Sequence, residues 1–137
     1  LRLYIDPDLA ARRIPTLRMI RMDKNELSHK ARRLEAMVSE ALCGRHDAAV
    51  TVREGSSRVG GGAFPECDLP TCLVCLNCTR IQPNTLQRAL LHVSLPLLAR
   101  VEQDALCLDP RTMLEDEFPE AAASVRQALD SLKAGKA

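Results

Sequence analysis

Tryptophan is absent from these 137 residues, and aromatic side chains make up only 2%, one tyrosine and two phenylalanines. A core without large rings must be filled by Leu, Val, Ile, Ala and Met. The same shortage argues against a single-stranded nucleic-acid platform, which stacks bases on aromatic faces. No apolar run approaches the roughly 20 residues that a membrane-spanning helix needs. No charged segment followed by an apolar stretch marks a secretory signal. Walker and dinucleotide-binding patterns are missing too: Gly60-Gly61-Gly62 is followed by neither Gly-Lys-Ser/Thr nor GxGxxG spacing. The net charge of +1 rules out a strongly polarised chain, although the halves differ. Residues 1–58 hold 12 Lys/Arg against 8 Asp/Glu, and residues 59–137 hold 7 against 10. The basic front half suits phosphates, and it equally suits a solvated helix face.

What is present is ordinary for one globular domain: 46% hydrophobic and 27% charged residues. The most informative run is Gly60-Gly61-Gly62-Ala63-Phe64-Pro65, closed by Leu69-Pro70-Thr71. Consecutive glycines suit a loop that needs positive φ or close approach by something else. A wide turn between two strands is the plainer reading of the same residues.

The pattern predicts a helix ending near Ile5, a break at Asp6-Pro7-Asp8, a short turn to about Arg13, and an extended Ile14–Ile20. Leu1–Ile5 reads as the end of a helix already under way, so the chain is expected to be a piece of a larger cytosolic protein. Asp23 is expected to cap a long helix, with Glu26 three residues on and an apolar stripe of Leu27, Ala31, Leu34, Val38 and Ala41. Lys30, Arg32 and Arg33 should face away from that stripe, and Cys43-Gly44 should end the helix. Ala48–Glu54 and Thr71–Cys78 read as strands, the second apolar on both faces and therefore central. Pro83 should open a helix that stops before Pro96. Leu97–Glu102 and Ala105–Leu108 should form a hairpin across Gln103-Asp104. A last helix should bury Phe118, Ala122, Val125, Leu129 and Leu132. This order predicts an α/β (α+β) two-layer sandwich, a mainly antiparallel sheet of about four strands with helices on one face. Residues 1–22 would be the end of an interdomain helix and a linker, 23–133 the small domain and 134–137 a frayed tail.

Cys67, Cys72, Cys75 and Cys78 form a C-x4-C-x2-C-x2-C pattern that could hold zinc or an iron–sulfur centre. Strand alternation opposes this, because Cys72 and Cys78 would share one face and Cys75 the other. Buried cysteine also packs well as a small hydrophobe, the reading given to Cys43 and Cys107. His29, His46 and His92 are isolated, and Ser56 and Ser57 have no His or acid placed for a hydrolase constellation. Arg58, Arg100 and Arg111 adjoin strand ends or loops, where arginine suits a phosphate, a carboxylate or a structural ion pair.

Three blocks together suggest a family. They are Leu1–Ala10 with Arg13–Met19, then Ser57–Pro65 with Leu69-Pro70-Thr71, then Ala99–Glu102 with Ala105–Met113. In order and over nearly the whole chain, they resemble the C-terminal domain of the bacterial selenocysteine synthase family, the L-seryl-tRNA(Sec) selenium transferases. Departures are the Cys72–Cys78 stretch, Ala99 where the family often has Gly, and Pro110 where it often has Leu. The resemblance implies the small C-terminal domain of a fold-type I transferase dependent on pyridoxal 5′-phosphate. The cofactor lysine would lie upstream, since Lys24, Lys30, Lys133 and Lys136 lack a matching context. It implies conversion of seryl-tRNA(Sec) to selenocysteinyl-tRNA(Sec) with selenophosphate, by a cytoplasmic homo-oligomer. This piece alone would be inactive and would hold no catalytic group. A seryl ester has no free carboxylate, so no arginine clamp is required. Arg58, Gly60, Gly61, Gly62, Pro65, Thr71, Arg100 and Arg111 are the substrate-loop candidates, the glycine loop admitting the terminal adenosine of the tRNA. The alternatives are the small domain of another pyridoxal-phosphate enzyme, a cysteine-cluster metal module and a general RNA-binding module.

Overall fold

The computed structural model describes residues 15–58 and 68–134. The opening turn, the glycine run with Pro65 and Cys67, and the end of the tail lie outside the described residues.

Helix α1 (Pro15–Arg21) leads into α2 (Lys24–Ala41). The extended reading of Ile14–Ile20 is therefore corrected. Proline restricts the residue before it, but at the first position of a helix its missing N–H costs nothing. Asp23 caps α2 with extended backbone, its carboxylate accepting the Glu26 N–H at 2.8 Å. Leu27, Ala31, Leu34 and Val38 are buried, as the stripe predicts. Lys30 is buried as well, against expectation. Its aliphatic stem follows the core while Nζ donates to the Met113 carbonyl at 2.6 Å and lies 6.0 Å from the Phe118 ring centroid. Gly44, at φ 86°, carries the chain out of the helix. Cys43 beside it is exposed rather than a core residue.

Strands β1 (Ala48–Arg58) and β2 (Asp68–Cys78) pair antiparallel along their full length, from Ala48 opposite Cys78 to Arg58 opposite Asp68. Both are longer than their hydrophobic patterns, because the ladder continues through residues 55–58 and 68–70. Helix α3 (Pro83–Leu90) follows. The hairpin is then β3 (Arg100–Glu102) and β4 (Ala105–Leu108). Leu97–Ala99 does not join β3. Gln103 and Asp104 have φ 49° and 57°, the paired left-handed conformation of a tight two-residue turn. After a 3-10 turn at Pro110–Thr112 and another at Glu115–Glu117, α4 (Phe118–Ala134) closes the domain.

The sheet order is β1-β2-β4-β3, with every pairing antiparallel, so β2 and β4 are central and buried on both faces. Cys72, Val74, Leu76, Leu106 and Leu108 on one face share a core with Leu34, Val38, Leu86, Leu90, Phe118, Val125 and Leu129 of the helices. Leu73, Cys75, Ala105 and Cys107 form a smaller cluster on the other face. This is the anticipated α+β arrangement. No described helix is long and apolar enough to cross a membrane.

Candidate functional site

The β1–β2 pair ends where the glycine run begins. Arg58 and Asp68 stand opposite each other, and residues 59–67 connect them. Near that end of the pair, four side chains form a polar network, three of them buried and Asp109 half-buried. Asp109 ends the stretch after β4 and caps the 3-10 turn, its Oδ1 accepting the Arg111 N–H at 3.1 Å. The same Oδ1 accepts the Thr71 hydroxyl at 2.9 Å, and Oδ2 accepts the Ser57 hydroxyl at 2.5 Å. Ser57 Oγ in turn accepts from Arg111 Nε at 3.0 Å. Arg111 also donates through Nη1 to the Met19 carbonyl at 2.7 Å and through Nη2 to the Pro70 carbonyl at 2.6 Å.

Each link joins a different segment: Ser57 from β1, Pro70 and Thr71 from β2, Met19 from α1 and Asp109 from the end of the hairpin. Ser57, Thr71 and Arg111 are 6%, 1% and 5% exposed, and the Arg111–Ser57 bond is made away from water. Burial pulls the Arg111 pKa down and the Asp109 carboxylate opposes that shift. The charges meet through the Ser57 hydroxyl, which serves both. A buried guanidinium whose Nε, Nη1 and Nη2 all donate to protein acceptors ties backbone together. Arg111 is thus a positioning group for the loop stems.

The sequence placed Thr71 and Arg111 among the loop candidates, and the fold brings them within one network. Arg100 stands on the same sheet face as Ser57 and Thr71, its Nη2 donating to the Ser56 carbonyl at 2.7 Å. Its Nε is buried without a hydrogen bond, 3.8 Å from a Glu102 carboxylate oxygen. Gly60, Gly61, Gly62, Pro65 and the Arg58 side chain lie outside the described residues. Sequence reading missed Ser57 and Asp109 as partners, because they lie 52 positions apart along the chain. The clue was Asp109-Pro110, a capping residue before a proline that opens a turn.

Among the described residues, no group of three or more His, Cys, Asp or Glu is placed to hold a metal ion. Cys72 and Cys78 lie with the helices and Cys75 on the opposite face, so these three do not converge. Nor do the described lysines fit a pyridoxal-phosphate anchor. Lys24 pairs with Glu54 at 2.8 Å on the surface, and Lys30 spends its ammonium on a carbonyl. Lys133 is exposed, on the rim of a cleft of about 380 Å³ shared with His46 and Arg80.

Residues 1–114 match the family model described as L-seryl-tRNA selenium transferase. Among curated proteins, the chain is 46% identical over 130 residues to the L-seryl-tRNA(Sec) selenium transferase of Desulfovibrio desulfuricans, covering 94% of this chain and 27% of that protein. It is 48% identical over 130 residues to the enzyme of Solidesulfovibrio magneticus, covering 93% and 27%. For that of Geobacter metallireducens the identity is 35% over 130 residues, covering 95% and 28%. The chain thus spans about a quarter of the length of these relatives. With its glycine-loop stems and the model match over most of its length, the chain belongs to the L-seryl-tRNA selenium transferase family.

Proposed function

We propose that this chain is the small C-terminal domain of a cytoplasmic, homo-oligomeric transferase that converts seryl-tRNA(Sec) to selenocysteinyl-tRNA(Sec), with selenophosphate as selenium donor. Family membership and the relatives' names support the activity. Pyridoxal phosphate would be the electron sink for replacement at the serine β-carbon, and its lysine would come from outside this chain. The domain's own contribution is to hold residues 59–67 against the substrate.

The observation that carries this role is the Arg111–Ser57–Asp109–Thr71 network. It ties together Ser57 and Pro70-Thr71, the segments that flank the glycine run on either side. A carboxylate clamp is not needed for an esterified serine, whereas room for the terminal adenosine is. The boundary at residue 22 follows the proposed linker, although the Arg111–Met19 bond ties α1 to the domain.

The test is single-turnover conversion of seryl-tRNA(Sec) by the whole protein with selenophosphate. Formation of selenocysteinyl-tRNA(Sec) supports the reading. A protein that leaves seryl-tRNA(Sec) intact and instead turns over free amino acids would overturn it in favour of another pyridoxal-phosphate enzyme.

A further inference from the structure

The small cluster on the sheet face opposite the helices has a chemistry that the loop network does not use. Cys75 of β2 and Cys107 of β4 are directly opposed in the antiparallel register. Directly opposed residues have Cα atoms about 4.5–5.5 Å apart, inside the range that a disulfide spans. Their Sγ atoms are 3.2 Å apart, and both thiols are free. Leu73 and Ala105 complete the apolar floor. Arg53 lies across the pair, with Nη2 3.5 Å from Cys107 Sγ and 3.5 Å from the Glu102 carbonyl. A Glu102 carboxylate oxygen is 3.6 Å from the same nitrogen, which sets an ion pair beside Cys107. For two cysteines kept merely as hydrophobic filling, neither the facing sulfurs nor the guanidinium beside them would be required.

We propose that Cys75 and Cys107 form a reversible redox pair, closing a disulfide between the two central strands when the protein meets a small hydroperoxide such as hydrogen peroxide. Cys75 is the attacking sulfur. The close contact with Cys107, with the arginines nearby, draws the Cys75 pKa down to about 7. Cys107 keeps its proton, its pKa raised by the same contact and by burial. The Cys75 thiolate attacks one peroxide oxygen, the O–O bond breaks, and the departing hydroxide takes a proton to become water. Cys75 is then a sulfenic acid. Cys107 sulfur attacks Cys75 sulfur, the S–O bond breaks, and the leaving hydroxide takes the Cys107 proton as a second water. Two thiols are oxidised and one peroxide is reduced. A dithiol reductant reverses the step by exchange. The crosslink would join β2, which carries Thr71, to β4, which leads into Asp109, and so would stiffen the loop anchor.

The experiment is peptide mapping of the reduced native protein before and after one equivalent of hydrogen peroxide. Trypsin cuts at Arg80, Arg88 and Arg100, so the two cysteines fall on separate peptides. The expected result is a crosslinked peptide pair, lighter by two hydrogens than the sum of its parts and assigned to Cys75 and Cys107 by fragmentation. It should vanish with dithiothreitol. Cys107→Ser should leave Cys75 as a sulfenic acid captured by dimedone, and Cys43→Ser should leave the crosslink unchanged. Unmodified Cys75 and Cys107 after peroxide, or a disulfide from Cys75 to another cysteine, would overturn the proposal. So would oxidation of Cys75 to sulfinic acid in the wild-type protein, and wild-type mapping decides the matter even if a variant fails to fold.

Discussion

Replacing Arg111 with methionine keeps a long side chain in place and removes its charge and all its donors. Three bonds go with it, to Ser57 Oγ and to the carbonyls of Met19 and Pro70. Each charge-assisted bond contributes about 1.5–3 kcal/mol net, and the buried acceptors left behind cost more. Such terms are not additive within one network. The Asp109 carboxylate keeps Thr71 and Ser57 but loses its nearest buried cation. Breaking a buried charged network by removing one partner costs about 3–5 kcal/mol, and that range is the expectation here. The chain has no tryptophan, so equilibrium urea denaturation is best followed by far-ultraviolet circular dichroism. With a slope of about 2 kcal/mol/M, the midpoint should fall by about 1.5–2.5 M. Arg111→Lys should recover part of the loss, since one ammonium cannot serve acceptors in three directions. Ser57→Ala combined with Arg111→Met should lose less than the sum of the single changes. A midpoint shift below about 0.5 M for Arg111→Met would refute the claim that this network holds the loop stems.

Gly55→Ala puts a Cβ 2.6 Å from Leu73 Cδ1 and 3.1 Å from Cγ, with Leu73 fully buried. It should cost about 1–3 kcal/mol in the same denaturation assay, and Gly55→Val more. Asp47 accepts from Arg45, which holds its carboxyl below the usual range. A depressed folded pKa contributes stability that is complete above the unfolded value near ~4 and lost as pH falls through the folded value. Arg45→Gln should therefore flatten the acid limb of a stability–pH profile below about pH 4. Gly61→Val in the whole protein should depress turnover of seryl-tRNA(Sec) while leaving yield and thermal midpoint unchanged; undiminished turnover would count against the substrate loop.

The sequence was most readable where one force dominated. Apolar periodicity and a side-chain cap locate α2, and the two-residue gap between two apolar segments locates the β3–β4 turn, although Leu97–Ala99 stays outside the strand. It misled where two local rules competed. Pro15 restricts Ile14, yet its own fixed φ suits the first turn of α1, and the second effect prevails. Lys30 looked solvated by charge alone, but its long stem reaches a carbonyl through the core. Gly55-Ser56-Ser57-Arg58 and Asp68-Leu69-Pro70 carry no strand pattern, yet the ladder continues through them. The loop itself was visible in its glycines. What anchors it was not, because Ser57, Thr71, Asp109 and Arg111 come together only after the sheet order brings the β1–β2 stems beside the end of β4. Nothing local in a sequence records a contact of that kind.

Amide hydrogen exchange on the whole protein, with and without seryl-tRNA(Sec), tests the substrate-loop assignment most directly. Slower exchange confined to residues 59–67, with the stems at 54–58 and 70–76 already protected without tRNA, is the predicted result. Unchanged exchange at 59–67 under conditions where the tRNA is bound and converted would contradict it.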